Sequence, residues 1–274
     1  MKKQSILFLL CTLTAILFFS CAPKTVETKE KDLTKKIYLS SDTTKGNLNV
    51  DIQVAFPVAY ANKQVLDSIR KTIITNLFGE KYVAHSNDSI VQLFASDLEA
   101  DYKANNEALI NELDNESQYT FNNEHILEGF TLLSDQNIFS YGIDRYVFMG
   151  GAHGLSNRIY FNFDLKTGKI ITEKDLFTSN YKLVLSELIK KHIKEEQKEP
   201  IADLEETIFW TDSIKPNGNF YITDESINYV FNPYEIAPYY VGQTEINLPF
   251  EQIKNLLKPN NPIAYLVLKQ NKKQ

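Results

Sequence analysis

The apolar residues of this chain change period repeatedly, and the order of those changes limits the fold more than any single motif. "NLNVDIQVAFPVAY" sets Val50, Ile52, Val54 and Phe56 on one face of a strand ending near Pro57. "KQVLDSIRKTIITNLFG" then puts Val65, Leu66, Ile69, Ile73 and Leu77 at helical spacing and stops at Gly79. A second helix follows in "DSIVQLFASDLEADYKANNEALINEL", behind a cap at Asp88. "SQYTFNNEHILEGFTLLSD" and "NIFSYGIDRYVFMG" predict two or three strands. "RIYFNFDL" and "GKIIT" flank the turn "KTG" as a hairpin, and "TEKDLF", with Asp175 at its start, leads into the helix "YKLVLSELIKKHIKEE". Two strands and an aromatic loop occupy "NFYITDESINYVFNPYEIAPYYVG", and "TEINLPF", "EQIKNLL" and "AYLVLK" close the pattern. Strands and helices segregate without βαβ alternation. That predicts an α+β fold of two small domains with antiparallel sheets and packed helices, 46–135 and 136–274.

The N-terminus obeys different rules. Lys2 and Lys3 precede the apolar run Ile6 to Phe19, and Ser20 stands before Cys21, so 1–20 reads as a secretory signal of the lipoprotein kind, too short to span a bilayer. An ordinary signal peptide whose cysteine has no role is the alternative. On the lipoprotein reading Cys21 is the lipidated residue, and the protein sits in a bacterial envelope, extracytoplasmic and tied to a membrane by acyl chains. The stretch 21–45, rich in Lys, Glu and Thr, reads as a flexible tether. The only two cysteines are Cys11 and Cys21, so the folded part holds no disulfide, cysteine nucleophile or thiolate metal site. The formal net charge of −6 includes two leader lysines, and their loss makes the mature chain more acidic still. A nucleic-acid partner, which needs clustered Lys and Arg, is not expected.

Two segments carry a resemblance. "YVFMGGAHGLSNRIYFNFDLKTGKIITEKDLF" with "FYITDESINYVFNPYEIAPYYVGQTEINLPFEQIKNLL" resembles a bacterial family of unknown function known from the C-terminal domain of a lysozyme-sensing anti-sigma factor. "AFPVAYANKQVLDSIRKTIITNLFG" is similar to the domain that precedes it there and that also accompanies the catalytic domain of a peptidoglycan deacetylase. The resemblance implies an extracytoplasmic, non-catalytic α+β tandem, with lysozyme or peptidoglycan as ligand.

The residues themselves offer two candidate features. In "FMGGAHGLSN", Gly150, Gly151 and Gly154 with Ala152 let backbone or ligand approach closely, while His153 reads as a structural group, a ligand contact or a base. As a base it would need an acid, and Asp144 and Asp164 flank the corner; a cell-wall hydrolase or deacetylase on that basis is the alternative function. The other histidines stand singly, and no metal cluster, phosphate cradle or cofactor fingerprint is present, so no catalytic residue, metal or cofactor is assigned. In "NPYEIAPYYVG", Tyr234, Tyr239 and Tyr240 suit sugar faces or a protein hot spot, or else pack over a sheet edge, and Glu235 meets a cation or water. Gly150, Gly151, His153, Tyr234, Glu235, Tyr239 and Tyr240 are therefore the binding candidates.

Overall fold

A computed structural model describes residues 23–110, 112, 121–196 and 208–270; the leader and Cys21 lie outside the described residues. β1 (Glu27–Tyr38), β2 (Asn47–Ala59), β3 (Asn123–Ser134), β4 (Ile138–Met149), β5 (Leu155–Asp164) and β6 (Lys169–Ile170) form one sheet in sequential order. Its neighbours are antiparallel except β2 and β3, which run parallel. The reason is the connection. α1 (Lys63–Leu77) and α2 (Asn87–Asn106) return the chain over the sheet between β2 and β3, and such a crossover delivers the next strand in the same direction. The fold is α+β.

Two expected boundaries are corrected by this sheet. The tether of 21–45 is a strand over about half its length, since 27–38 form β1, paired antiparallel with β2 with one irregularity between Glu27 and Thr28. Its positions facing the helices are Lys31, Leu33, Lys35 and Ile37, so it lacks the apolar run of an ordinary strand. Lysine stems cover α2 instead, while their ammonium groups pair with Asp88 and Glu99. Lysines along an edge strand also discourage pairing with another chain. The division at 135/136 falls inside the β3–β4 turn, so β4 and β5 belong to the same layer as β1–β3. The first core runs from Val26 to Leu165, whereas the second gathers Ile171 to Leu266 and borrows Ile138. The sheet and the cores place the division between 165 and 171.

In the first core, Ile52 and Phe56 from β2 meet Ile69 and Ile73 from α1 and Leu127, Phe139 and Phe163 from β3–β5, all fully buried. Each contributes roughly 1.5–3 kcal/mol through apolar surface removed from water. The Asn62 side chain caps α1 by accepting from Gln64 N and Val65 N. α2 is capped by Ser86, two residues earlier than expected; Asp88 lies within the first turn and pairs with Lys31. The C-terminal carbonyls of α1, at Asn76 and Leu77, each accept from Arg145 Nη2 at 3.0 Å.

His125, on β3 beneath α2, packs edge-on against Phe94. Burial, helped by the Arg145 charge, lowers its pKa from 6.5 to about 4. The unfolded chain therefore binds a proton between those values that the fold rejects, and stability falls as pH falls through that window. Going from pH 7 to pH 5 is expected to cost about 2 kcal/mol through this residue. Urea unfolding of the native chain and His125→Gln at both pH values checks it, because the variant should lose that part of the slope.

The second layer is the antiparallel sheet β7 (Phe220–Ile222), β8 (Ser226–Phe231) and β9 (Thr244–Pro249). α3 (Glu173–Leu176), α4 (Tyr181–Glu196), α5 (Phe250–Ile253) and α6 (Ala264–Gln270) belong to its core, where Leu185, Ile189, Tyr229, Leu248 and Phe250 are fully buried. The Asp175 carboxylate accepts from Thr172 N and Oγ1 at 2.8 and 2.7 Å and so starts α3.

Asparagine side chains join the layers. β6 is only two residues long, which leaves most of β5 without a strand neighbour on that edge. Asn232 Oδ1 accepts from Arg158 N at 2.7 Å and Asn219 Oδ1 from Tyr160 N at 3.1 Å, while both amide nitrogens donate to Arg158 O. These amides reproduce a strand's donors and acceptors, so the edge is satisfied without a strand.

Candidate functional site

The β4–β5 connection and the loop after β8 meet at one end of the first sheet. Gly150 takes φ +76°, a left-handed turn that a larger residue adopts only with strain. Gly154 is buried under Tyr146, whose ring would lie 2.3 Å from any Cβ there. Between them His153 is pushed outward. Its ring stacks on Tyr239 with centroids 3.9 Å apart and planes 20° from parallel. Gly154 O anchors both rings, accepting from Tyr239 Oη at 2.7 Å and lying 2.9 Å from His153 Nδ1. Tyr234 leans on Tyr239 at 5.7 Å and holds φ +69°, a backbone setting that costs a non-glycine residue about 1–3 kcal/mol.

An apolar surface results. Met149 and Tyr240 are each 73% exposed, Leu155 57% and Tyr234 52%. Exposed apolar side chains of this kind, on the two segments that the ring stack joins, are the sort used for partners. The sequence reading missed Met149 and Leu155, although both border the small-residue corner it singled out. Gly151 touches nothing within 4 Å of where a Cβ would stand, so no close approach accounts for it.

The acids do not converge. Asp144 accepts from Arg158 Nε at 2.6 Å. Asp164 sits at the far end of β5, roughly 30 Å along the strand from the corner, and accepts from Lys166 N and Thr167 Oγ1 within its own turn. Neither orients His153, which corrects the expectation that these groups could work together as acid and base. Glu235 is also engaged. It accepts from Asn217 Nδ2 at 2.8 Å and Asn232 Nδ2 at 3.3 Å, bracing the tyrosine loop rather than waiting for a cation. Among the described residues no group of three or more His, Cys, Asp or Glu could hold a metal, and no helix is long and apolar enough to cross a membrane.

Residues 43–156, which end at this corner, match the family model described as "Deacetylase PdaC". Residues 174–251, which include the tyrosine loop, match "Protein of unknown function (DUF3298)". The two matched regions lie in tandem along the chain. The site just described lies where the two domains of the tandem touch. A curated relative, the anti-sigma-V factor RsiV of Bacillus subtilis (strain 168), is 37% identical over 108 residues, covering 36% of this chain and 36% of that protein. The match thus spans about a third of the relative's length. The crystal structure of a DUF3298 family member from Bacteroides fragilis superposes with TM-score 0.80 at 25% identity, over 89% of this chain and 98% of that one. A DUF3298 family protein from Pseudomonas aeruginosa PAO1 shares the fold at TM-score 0.55 and 15% identity, over 85% and 95%.

Proposed function

We propose that the tandem is an extracytoplasmic envelope module that binds without turning its ligand over, held at the membrane by acylation of Cys21. The observation that carries the reading is the His153–Tyr239 stack, which holds rings from both domains under an exposed apolar patch. Rings fixed before binding lose little freedom on association, which favours affinity. The relationship to an anti-sigma factor and the family resemblance make lysozyme the first ligand to test and peptidoglycan the second. An acidic chain would also speed encounter with a basic protein.

Calorimetric titration with lysozyme and with peptidoglycan fragments tests this. Tyr240→Ala is expected to weaken binding by about 2 kcal/mol, roughly thirtyfold, without moving the thermal midpoint, since the ring is mostly in solvent. Heat from neither ligand removes both. For the anchor, labelled palmitate should enter the native chain and not Cys21→Ser; equal labelling would dismiss the acylation.

A further inference from the structure

The outer face of β7–β9 has a built polar floor unusual for a solvent-facing sheet. Ser226 and Asn228 point outward yet are only 4% and 2% exposed. Asn247 Nδ2 donates to Ser226 Oγ at 2.9 Å and to Asn228 Oδ1 at 2.6 Å, and Asn228 Nδ2 donates to the same Ser226 Oγ at 3.0 Å. Locked to one another, these groups keep a fixed set of lone pairs and N–H bonds at the base of a groove of about 690 Å³. That volume lies within the roughly 300–1,000 Å³ of small-ligand pockets. Tyr221 forms one wall, backed by Tyr160 at 4.9 Å, and its hydroxyl donates to Glu245 Oε1 at 2.5 Å. Asp224, Glu225 and Glu251 complete the rim, and among the described residues no lysine or arginine lines the groove. Glu251 is paired with Lys254, whereas the carboxylates of Asp224 and Glu225 have no ion-pair partner among the described residues.

We infer that this groove binds an amino-bearing saccharide. Fixed amides and hydroxyls that both donate and accept match sugar hydroxyls, which do the same. A tyrosine wall offers an apolar ring face with a polar edge, suited to the C–H face of a pyranose. Carboxylates without a counter-charge favour an ammonium and repel phosphate or uronate. None of the residues lining the groove belongs to the hairpin-tip site, so the groove stands whether or not the tip binds a protein.

Titrating the full chain with a chitosan tetrasaccharide and with its fully N-acetylated counterpart decides it. The chitosan oligomer is expected to bind, the acetylated one at least about tenfold more weakly, and added salt to weaken the first. Asp224→Asn with Glu225→Gln, which keep shape and remove charge, should lower chitosan affinity about tenfold, Tyr221→Ala should lower it further, and Tyr240→Ala should leave it unchanged. No binding of either oligomer, equal binding of both, or affinity indifferent to the carboxamide pair would overturn the assignment.

Discussion

Replacing Asn162 by leucine is expected to destabilise the fold by about 4 kcal/mol, although the two side chains are close in size. Asn162 is 2% exposed on β5 and its amide has three partners. Ser140 Oγ and Ile222 N donate to Oδ1 at 2.7 and 2.9 Å, and Nδ2 donates to Phe220 O at 2.8 Å. Leucine would leave a buried hydroxyl, a buried N–H and a buried carbonyl without partners, each costing about 1–3 kcal/mol before relaxation. Two of those three belong to β7, so the loss falls on the joint between the layers rather than within either core. Equilibrium unfolding in urea reads the effect. A loss below about 1 kcal/mol would mean that apolar packing, not the amide bridge, holds the layers together.

Gly129→Ala is expected to cost about 3 kcal/mol, and the cost should fall by about half when Tyr141 is also changed to phenylalanine. A Cβ at position 129 would stand 2.3 Å from Tyr141 Oη, which is closer than any contact allows, but 3.2 Å from Cζ, which a small shift accommodates. Tyr141 is fully buried and cannot swing away. Its hydroxyl has no hydrogen-bond partner among the described residues, and burial alone pushes its pKa far upward. Tyr141→Phe by itself should therefore stabilise the fold by about 1 kcal/mol, because it removes an unsatisfied polar group and opens almost no space. A double-mutant cycle in urea measures the coupling; strictly additive changes would show that the hydroxyl is not what keeps position 129 empty.

Position 129 also marks what the sequence reading could reach. Alternation in "HILEGFTLL" identifies a strand, since side-chain direction repeats every two residues whatever the strand pairs with. It does not say why a glycine interrupts that strand, because Tyr141 arrives from twelve residues away. The same division runs through the candidate site. The small-residue corner and the tyrosine loop are both visible as local composition, yet they are 85 residues apart at Gly154 and Tyr239, and only folding stacks His153 on Tyr239. β1 was misread as a tether because charge masked its alternation, and Asp88 as a cap because a cap depends on which residue leaves helical geometry first.

The chain's periodicities alone determined the element types, the α+β class and the aromatic character of both site segments, because each depends on residues a few positions apart. Tertiary structure alone decided the parallel pairing of β2 with β3, the asparagine joint along β5, the dispersal of the acids and the meeting of His153 with Tyr239. Those are contacts between distant residues, and a hydrogen bond or ring stack is specified by geometry in space that no local pattern encodes.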